Sequence, residues 1–319
     1  MKRHRNLYNK VISLENLRLA DQTARKGKRK QRGVQLHDRH SESNLFQLHE
    51  MLLNKQFQTS EYSTFTVYEP KERLVYCLPY YPDRIVHHAI MNVLEPILVS
   101  SLTRDTYSCI KGRGVYNCFN KLKKALQDLS GTQYCLKIDI RKFYPSIDHD
   151  TLKQMLRRKI KDADLLWLLD EIIDSAPGVP IGNYLSQYFA NFYLCYFDHW
   201  IKQELGVRYY FRYADDIVIL SGSKSELHNI LWMISDYLRE NLKLKIKDNY
   251  QIFPVSKRGI DFIGYRFFHT HIRLRKSIKK NFARSIHKNK PQSTVAAYIG
   301  WAKHADCKNL IKTLLNEKV

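Results

Sequence analysis

Apolar residues recur at three- and four-residue spacing through SESNLFQLHEMLLNKQF, residues 41–57, behind a leading serine, and this predicts a helix. STFTVYE and RLVYCLP then read as two paired strands joined by a turn around Pro70. Helical spacing returns over DRIVHHAIMNVLEPILV, 83–99, and over 115–129. QYCLKIDI, 134–141, reads as a buried strand that ends on a carboxylate, Asp139; FYPSID and helices to about residue 175 follow. GVPIGNYLSQYFANFYLCYFDHWI opens on Gly and Pro and predicts one long aromatic-rich helix. Strands over 207–213 and 216–220 flank a tight turn, and an amphipathic helix covers 223–241. Two strand-like segments, near 244–253 and 260–267, lead into a basic helical tail. Neither an internal repeat nor a low-complexity linker interrupts this order. Strands that come in hairpins, instead of alternating singly with helices, imply an α+β fold with helices on one face of the sheet.

Composition sharpens the picture. The 319 residues, 44% of them hydrophobic, are enough for two or three packed subdomains. Lys and Arg number 53 against 31 Asp and Glu, a formal net charge of +22. A soluble protein that is merely basic would bear that self-repulsion for nothing, so nucleic acid is the leading partner. QTARKGKRKQRGVQLHDRH, 22–40, is too charged to bury a face; it reads as a solvated helix or loop, or as a phosphate contact. No stretch approaches the roughly 18 apolar residues of a membrane span, and MKRHRNLYNK has no apolar region after its charges. A cytoplasmic protein with no membrane partner is expected. The six cysteines are isolated and form no CxxC pair, which argues against a zinc site or a disulfide framework and for reduced thiols.

Candidate chemistry lies in RYADDIVIL, 212–220, where Asp215 and Asp216 sit side by side inside an apolar, β-branched run. An unpaired buried carboxylate costs several kcal/mol or more. A hairpin tip would let the pair point into a cleft, and a divalent cation between them would offset the repulsion. Asp139 occupies the same setting at the end of another apolar strand, and adjacent antiparallel strands could bring it beside the hairpin. Three such oxygen donors suit two Mg²⁺ ions about 3.5–4 Å apart, the arrangement used in nucleotidyl transfer. Taken alone, an Asp-Asp turn is as readily a solvated turn.

The combination resembles a family. YADD at 213–216, with the upstream Asp139 in DIRKFYPSI, resembles motifs C and A of reverse transcriptases, and the likeness runs in order over roughly residues 40–305. The resemblance implies a right-hand polymerase with fingers, an antiparallel palm and a helical thumb. It divides the chain into a basic N-terminal segment, 1–40, fingers and palm over 41–267, and a thumb over 268–319. Asp139, Asp215 and Asp216 become catalytic residues that hold two Mg²⁺ ions, or Mn²⁺ as a substitute. Asp216 would contribute less directly, and Ile140 joins the set at the metal and the nucleotide. PKERLVYCLPYYPDRIVHHAI resembles the fingers segment that closes on the triphosphate, with Arg73 the best match and Lys71 and Arg84 as further candidates. Tyr144, five residues after Asp139, falls at the steric gate that excludes a 2′-hydroxyl; its plainer reading is a core aromatic. Tyr213 reads as packing against the primer, and His87 and His88 as ordinary helix residues. LKLKIKDNY resembles motif D; Lys247 is its match at the leaving pyrophosphate, with Lys243 and Lys245 competing. GIDFIGYRF resembles the primer grip, and IGWAKHADCKNL a thumb segment of group II intron-like bacterial enzymes.

GVPIGNYLSQYFANFYL resembles motif B but departs from the common form, which has Gln-Gly at its start and Ser-Pro near its end. Here those places hold Ile181-Gly182 and Ser186-Gln187, all nucleotide-side candidates except Ser186. This variant resembles the enzymes of diversity-generating retroelements, which make error-prone cDNA, mutated at template adenines, from a template-repeat RNA. Such a bacterial or phage-encoded enzyme takes dNTPs, holds an RNA–DNA duplex and works with a multimeric accessory variability protein. No DNA-binding or endonuclease domain is expected after the thumb, and no RNase H carboxylate set is seen. Another bacterial reverse transcriptase, of retron, abortive-infection or group II-derived type, is the alternative. An inactive RNA-binding scaffold is the third reading; it would have no need of three metal-ligand aspartates.

Overall fold

The computed structural model describes residues 3–68 and 72–316. These fall into two compact units, each assembled from separated stretches of chain: one from residues up to 103, 141–200 and 237–245, the other from 104–140, 201–236 and 246 onward. Among the described residues no helix is long and apolar enough to cross a membrane.

In the first unit, helices are set by their caps and apolar stripes. The Ser13 side chain accepts from Asn16 N–H at the start of helix Leu14–Ala24, whose buried Leu17, Ala20 and Ala24 lie one or two turns apart. That helix packs along helix Ile85–Val99, where Asn16 Nδ2 donates to the Ala89 carbonyl at 3.0 Å. Asp162 caps helix Ala163–Asp174 through Leu165 N–H, and its other oxygen accepts from Leu7 and Tyr8 N–H at 2.6 and 2.9 Å. One carboxylate thus starts a helix and also fastens the start of the short helix Tyr8–Ile12. The charged stretch 22–40 is more ordered than its composition implies. Helix Arg32–Asp38 buries Val34 and His37, and Arg25 is paired with Asp21 and, at 2.6 Å, with Asp38. Lys26, Arg29, Lys30 and Arg32 stay exposed.

Strands β1 (Ser63–Val67) and β2 (Arg73–Cys77) pair antiparallel as expected, while the turn around Pro70 lies outside the described residues. The single long helix expected from Gly178 does not form. Gly178 at φ +61° and Gly182 at φ +122° keep 178–183 irregular; helix Tyr184–Tyr193 follows, and Leu194 separates it from helix Cys195–Gln203. The apolar run hid the break because both helices bury aromatic residues, among them Phe189, Phe192 and Phe197.

In the second unit four strands, β3 (Tyr134–Asp139), β4 (Tyr209–Tyr213), β5 (Asp216–Ser221) and β6 (Gln251–Pro254), form an antiparallel sheet in the order β4-β5-β3-β6. Because side chains alternate, Cys135, Phe211, Val218 and Leu220 share one face. It packs on Phe119 and Leu122 of helix Val115–Ala125 and on a second sheet of β7 (Ile260–Phe262), β8 (Tyr265–Phe267) and β9 (Ile272–Leu274). The opposite face carries Leu136, Ile138, Ile217 and Ile219, all fully buried. Of the expected strand at 244–253 only 251–254 is regular, with Ile246 making an isolated bridge to Ile140. β9 lies where the sequence reading begins a helical thumb: buried Ile272 and Leu274 around exposed Arg273 give a two-residue period too short to stand out. The helices start at Lys276, and Phe282, Ile286 and Leu314 form their own small core.

Ile219 has no exposed surface. Ile219→Ala should therefore cost about 2–5 kcal/mol in a urea melt, the range for truncating a buried aliphatic side chain.

Candidate active site

The register of β3 and β5 pairs Lys137 with Val218, Ile138 with Ile217 and Asp139 with Asp216. The two aspartates are thus directly opposed at the last rung of an otherwise apolar ladder, on the same face of the sheet. Like charges placed so destabilise a sheet. Tyr213 pairs with Asp216 across β4 and β5, leaving Ala214 and Asp215 as a two-residue turn. Ala214 takes φ +53°, a left-handed conformation that costs a residue with a Cβ roughly 1–2 kcal/mol. The sequence reading placed Arg212 in the strand but gave it no role. Its side chain is completely buried and donates to the Ala214 carbonyl at 3.1 Å and to Thr106 Oγ1 at 3.4 Å. An arginine interrupting the aromatic run of Tyr209, Tyr210, Phe211 and Tyr213 was the signal available.

Burial first, then the neighbouring charges of Asp216 and Asp139, pushes the Asp215 carboxyl above its ordinary range, and Lys247 offsets only part of this. Lys247 is the lysine of the three candidates that reaches the aspartates. Its N–H donates to the Asp139 carbonyl at 2.9 Å and its ammonium pairs with Asp139 Oδ1. Lys243 instead pairs with Asp148 at 2.9 Å, and the Lys245 carbonyl accepts from Arg141 N–H at 2.8 Å. Ile140 buries its side chain completely, so only its backbone can meet a metal or a nucleotide. Among the described residues no three His, Cys, Asp or Glu side chains already converge as a metal cage. The donor set nevertheless fits a hard divalent cation: three carboxylates, two opposed and one held against its own ionisation, with one ammonium to balance them.

The remaining sequence candidates belong to the first unit, except Lys71, which lies outside the described residues. Arg73 is exposed at the start of β2. Further along that strand Tyr76 N–H donates to the Ile181 carbonyl at 2.7 Å, and a Cβ on Gly182 would meet the Tyr76 carbonyl at 2.1 Å. Motif B is stitched to the hairpin through a backbone contact that only glycine permits. Tyr144 is half-buried in a short 3-10 turn, and its carbonyl accepts from Val179 N–H at 2.9 Å. Arg84, Gly182 and Gln187 come together around a cavity of about 150 Å³ that Lys28, His87, His88 and Tyr184 also line. Burial, together with neighbouring positive charge, pushes His87 down to about 3 and His88 to about 4, so both imidazoles are neutral at pH 7. They are helix residues, as the sequence reading had them.

Residues 68–267 match the family described as reverse transcriptase (RNA-dependent DNA polymerase). The chain belongs to the reverse transcriptase family. Among curated proteins it is similar to Protein YkfC of Escherichia coli K12, at 25% identity over 59% of this chain and 61% of that protein. It is also similar to the retron Ec73 reverse transcriptase of Escherichia coli, 26% identical over 76% of this chain and 79% of that protein. The group II intron-encoded protein LtrA of Lactococcus lactis is 25% identical over 63% of this chain and 44% of its own length. The chain thus spans less than two thirds of YkfC and of LtrA. Apo telomerase from Candida tropicalis shares the fold, with a TM-score of 0.51 at 11% identity over 69% of this chain and 49% of that one. The right-hand polymerase fold expected from the sequence is the fold found.

Two outcomes follow from this geometry. A carboxyl whose folded pKa is raised destabilises the fold once it is ionised, so stability falls as pH climbs above the ordinary carboxylate range. Asp215→Asn should raise the melting temperature of metal-free protein at pH 7 by a few degrees, with the gain shrinking toward pH 4. Gly182→Ala combines a forbidden φ with a backbone collision, and should lower the melting temperature more than Gly112→Ala, where a Cβ would meet nothing within 4 Å.

Proposed function

We propose that the chain is an RNA-directed DNA polymerase whose reaction centre is Asp139, Asp215 and Asp216. The observation that carries this reading is the opposed Asp139–Asp216 rung with Asp215 in the adjoining turn, in a chain of the reverse transcriptase family. Asp139, Asp215 and, less directly, Asp216 would hold Mg²⁺, with Mn²⁺ as a substitute and the Ile140 backbone beside them. When bound, the ions supply charge stabilisation for attack of a primer 3′-hydroxyl on a dNTP and for the departing pyrophosphate. Lys247 holds a positive charge at Asp139, from where it can follow charge developing on the leaving group. Arg73, Arg84 and Lys71 are assigned to the triphosphate, Tyr144 to rejection of a 2′-hydroxyl, and Ile181, Gly182 and Gln187 to the nascent pair. Fingers and palm would run over 41–267 and the thumb from 268, with the basic segment 1–40 on RNA or on a protein partner.

The finer reading is a mutagenic enzyme of a diversity-generating retroelement, copying a template-repeat RNA with a multimeric accessory protein. Its local support is Ile181. The backbone there is already committed to Tyr76, so its side chain is what can meet the nucleotide. An isoleucine packs without directional demand, whereas selection built on hydrogen bonds is far sharper than selection by apolar fit. The match to the retron Ec73 reverse transcriptase, over most of both chains, favours a second reading as a retron-type enzyme.

Primer extension on an RNA template with Mg²⁺ and dNTPs, followed by cDNA sequencing, tests these readings. Asp215→Ala with Asp216→Ala should abolish synthesis, and the wild-type errors should concentrate at template adenines. Ile181→Gln should lower that error rate several-fold; faithful wild-type synthesis would favour the retron-type reading.

A further inference from the structure

Arg212 is the largest side chain to be completely buried, in a strand where Val or Ile would sit at no electrostatic cost. What an apolar residue cannot provide is a rigid fork of donors. The structure uses that fork locally: one nitrogen meets the carbonyl of left-handed Ala214, another Thr106 Oγ1. The backbone of Arg212 is braced as well. Its N–H donates to the Asp105 carbonyl at 3.2 Å, and its carbonyl accepts from Tyr107 N–H at 3.3 Å. Asp105 is itself fixed by Lys121 and, at 2.9 Å, by Lys202. Residues 105–107 therefore form an anchored rail beside β4, and the guanidinium reaches from it to the turn that carries Asp215.

We propose that Arg212 is a positioning residue for the catalytic carboxylates, holding the Ala214 peptide so that Asp215 leaves the turn in one orientation beside the Asp139–Asp216 rung. This rests on the polymerase reading of the site. In this role Arg212 acts on the carboxylates through the Ala214 carbonyl. Lysine in its place keeps a cation but lacks the fork, and cannot span Thr106 and Ala214 with a fixed geometry.

The test compares wild type, Arg212→Lys, Thr106→Val and the double variant Arg212→Lys with Ala214→Gly. Mn²⁺ binding is measured by electron paramagnetic resonance without nucleic acid, beside kcat, the dNTP KM, RNA affinity and the melting temperature. Arg212→Lys should weaken Mn²⁺ binding and lower kcat by about tenfold each, the size seen when outer partners of metal ligands are lost. The dNTP KM and RNA affinity should stay within about twofold, since neither contact is touched. Thr106→Val, which removes one anchor at constant shape, should shift Mn²⁺ binding in the same direction by about threefold. Glycine takes a positive φ without the brace, so the double variant should regain most of the Mn²⁺ affinity. Arg212→Lys protein that melts lower yet binds Mn²⁺ as wild type does would overturn the inference, as would a double variant that regains nothing. If Arg212→Lys does not fold, an unchanged Mn²⁺ affinity in Thr106→Val decides against it. A wild-type protein that binds no Mn²⁺ would defeat the polymerase reading itself.

Discussion

Everything at the candidate active site depends on one register, that of β3 against β5. Pairing fixes Asp139 opposite Asp216 because Ile138 and Ile217, one rung earlier, bury on the far face. A slip of one residue would turn those isoleucines toward the carboxylate face and the aspartates toward the core. Hydrophobic burial of about 1.5–3 kcal/mol for each such side chain thus sustains an arrangement that electrostatics alone would disperse. The site is an unfavourable rung secured by favourable ones.

Around that rung each neighbour answers a specific charge. Lys247 faces Asp139, and Arg212 meets the carbonyl of the turn. Asp215 is left with the least compensation and shows it in a carboxyl that resists ionisation. Ionised Asp215 therefore works against the stability of the fold that holds it.

Much of this was legible in the sequence. Asp139 at the end of an apolar strand and YADD between two strands gave both halves of the rung, and order along the chain gave the family. Motif D was ambiguous because LKLKIK alternates lysines evenly; only the bridge between Ile140 and Ile246 shows that Lys247 is the one at Asp139. The break at Leu194 was hidden because the residues on either side are equally aromatic, and a helix junction there depends on packing rather than on a breaker residue. β9 was missed because three residues are too few to establish a period. Arg212 was overlooked for another reason: an arginine within an aromatic strand reads as readily exposed, and its complete burial is set by packing.

The discontinuity of the second unit bears on how the chain is made. Its first central strand, β3, ends at residue 139, but its partner β5 begins at 216 and its edge strand β6 at 251. On a ribosome the hairpin of β4 and β5 can close as soon as it emerges, whereas β3 must wait, its edges unpaired, through a long stretch of translation. Lys247 arrives later still. The counter-charge of Asp139 thus reaches the sheet only after all three aspartates have been made.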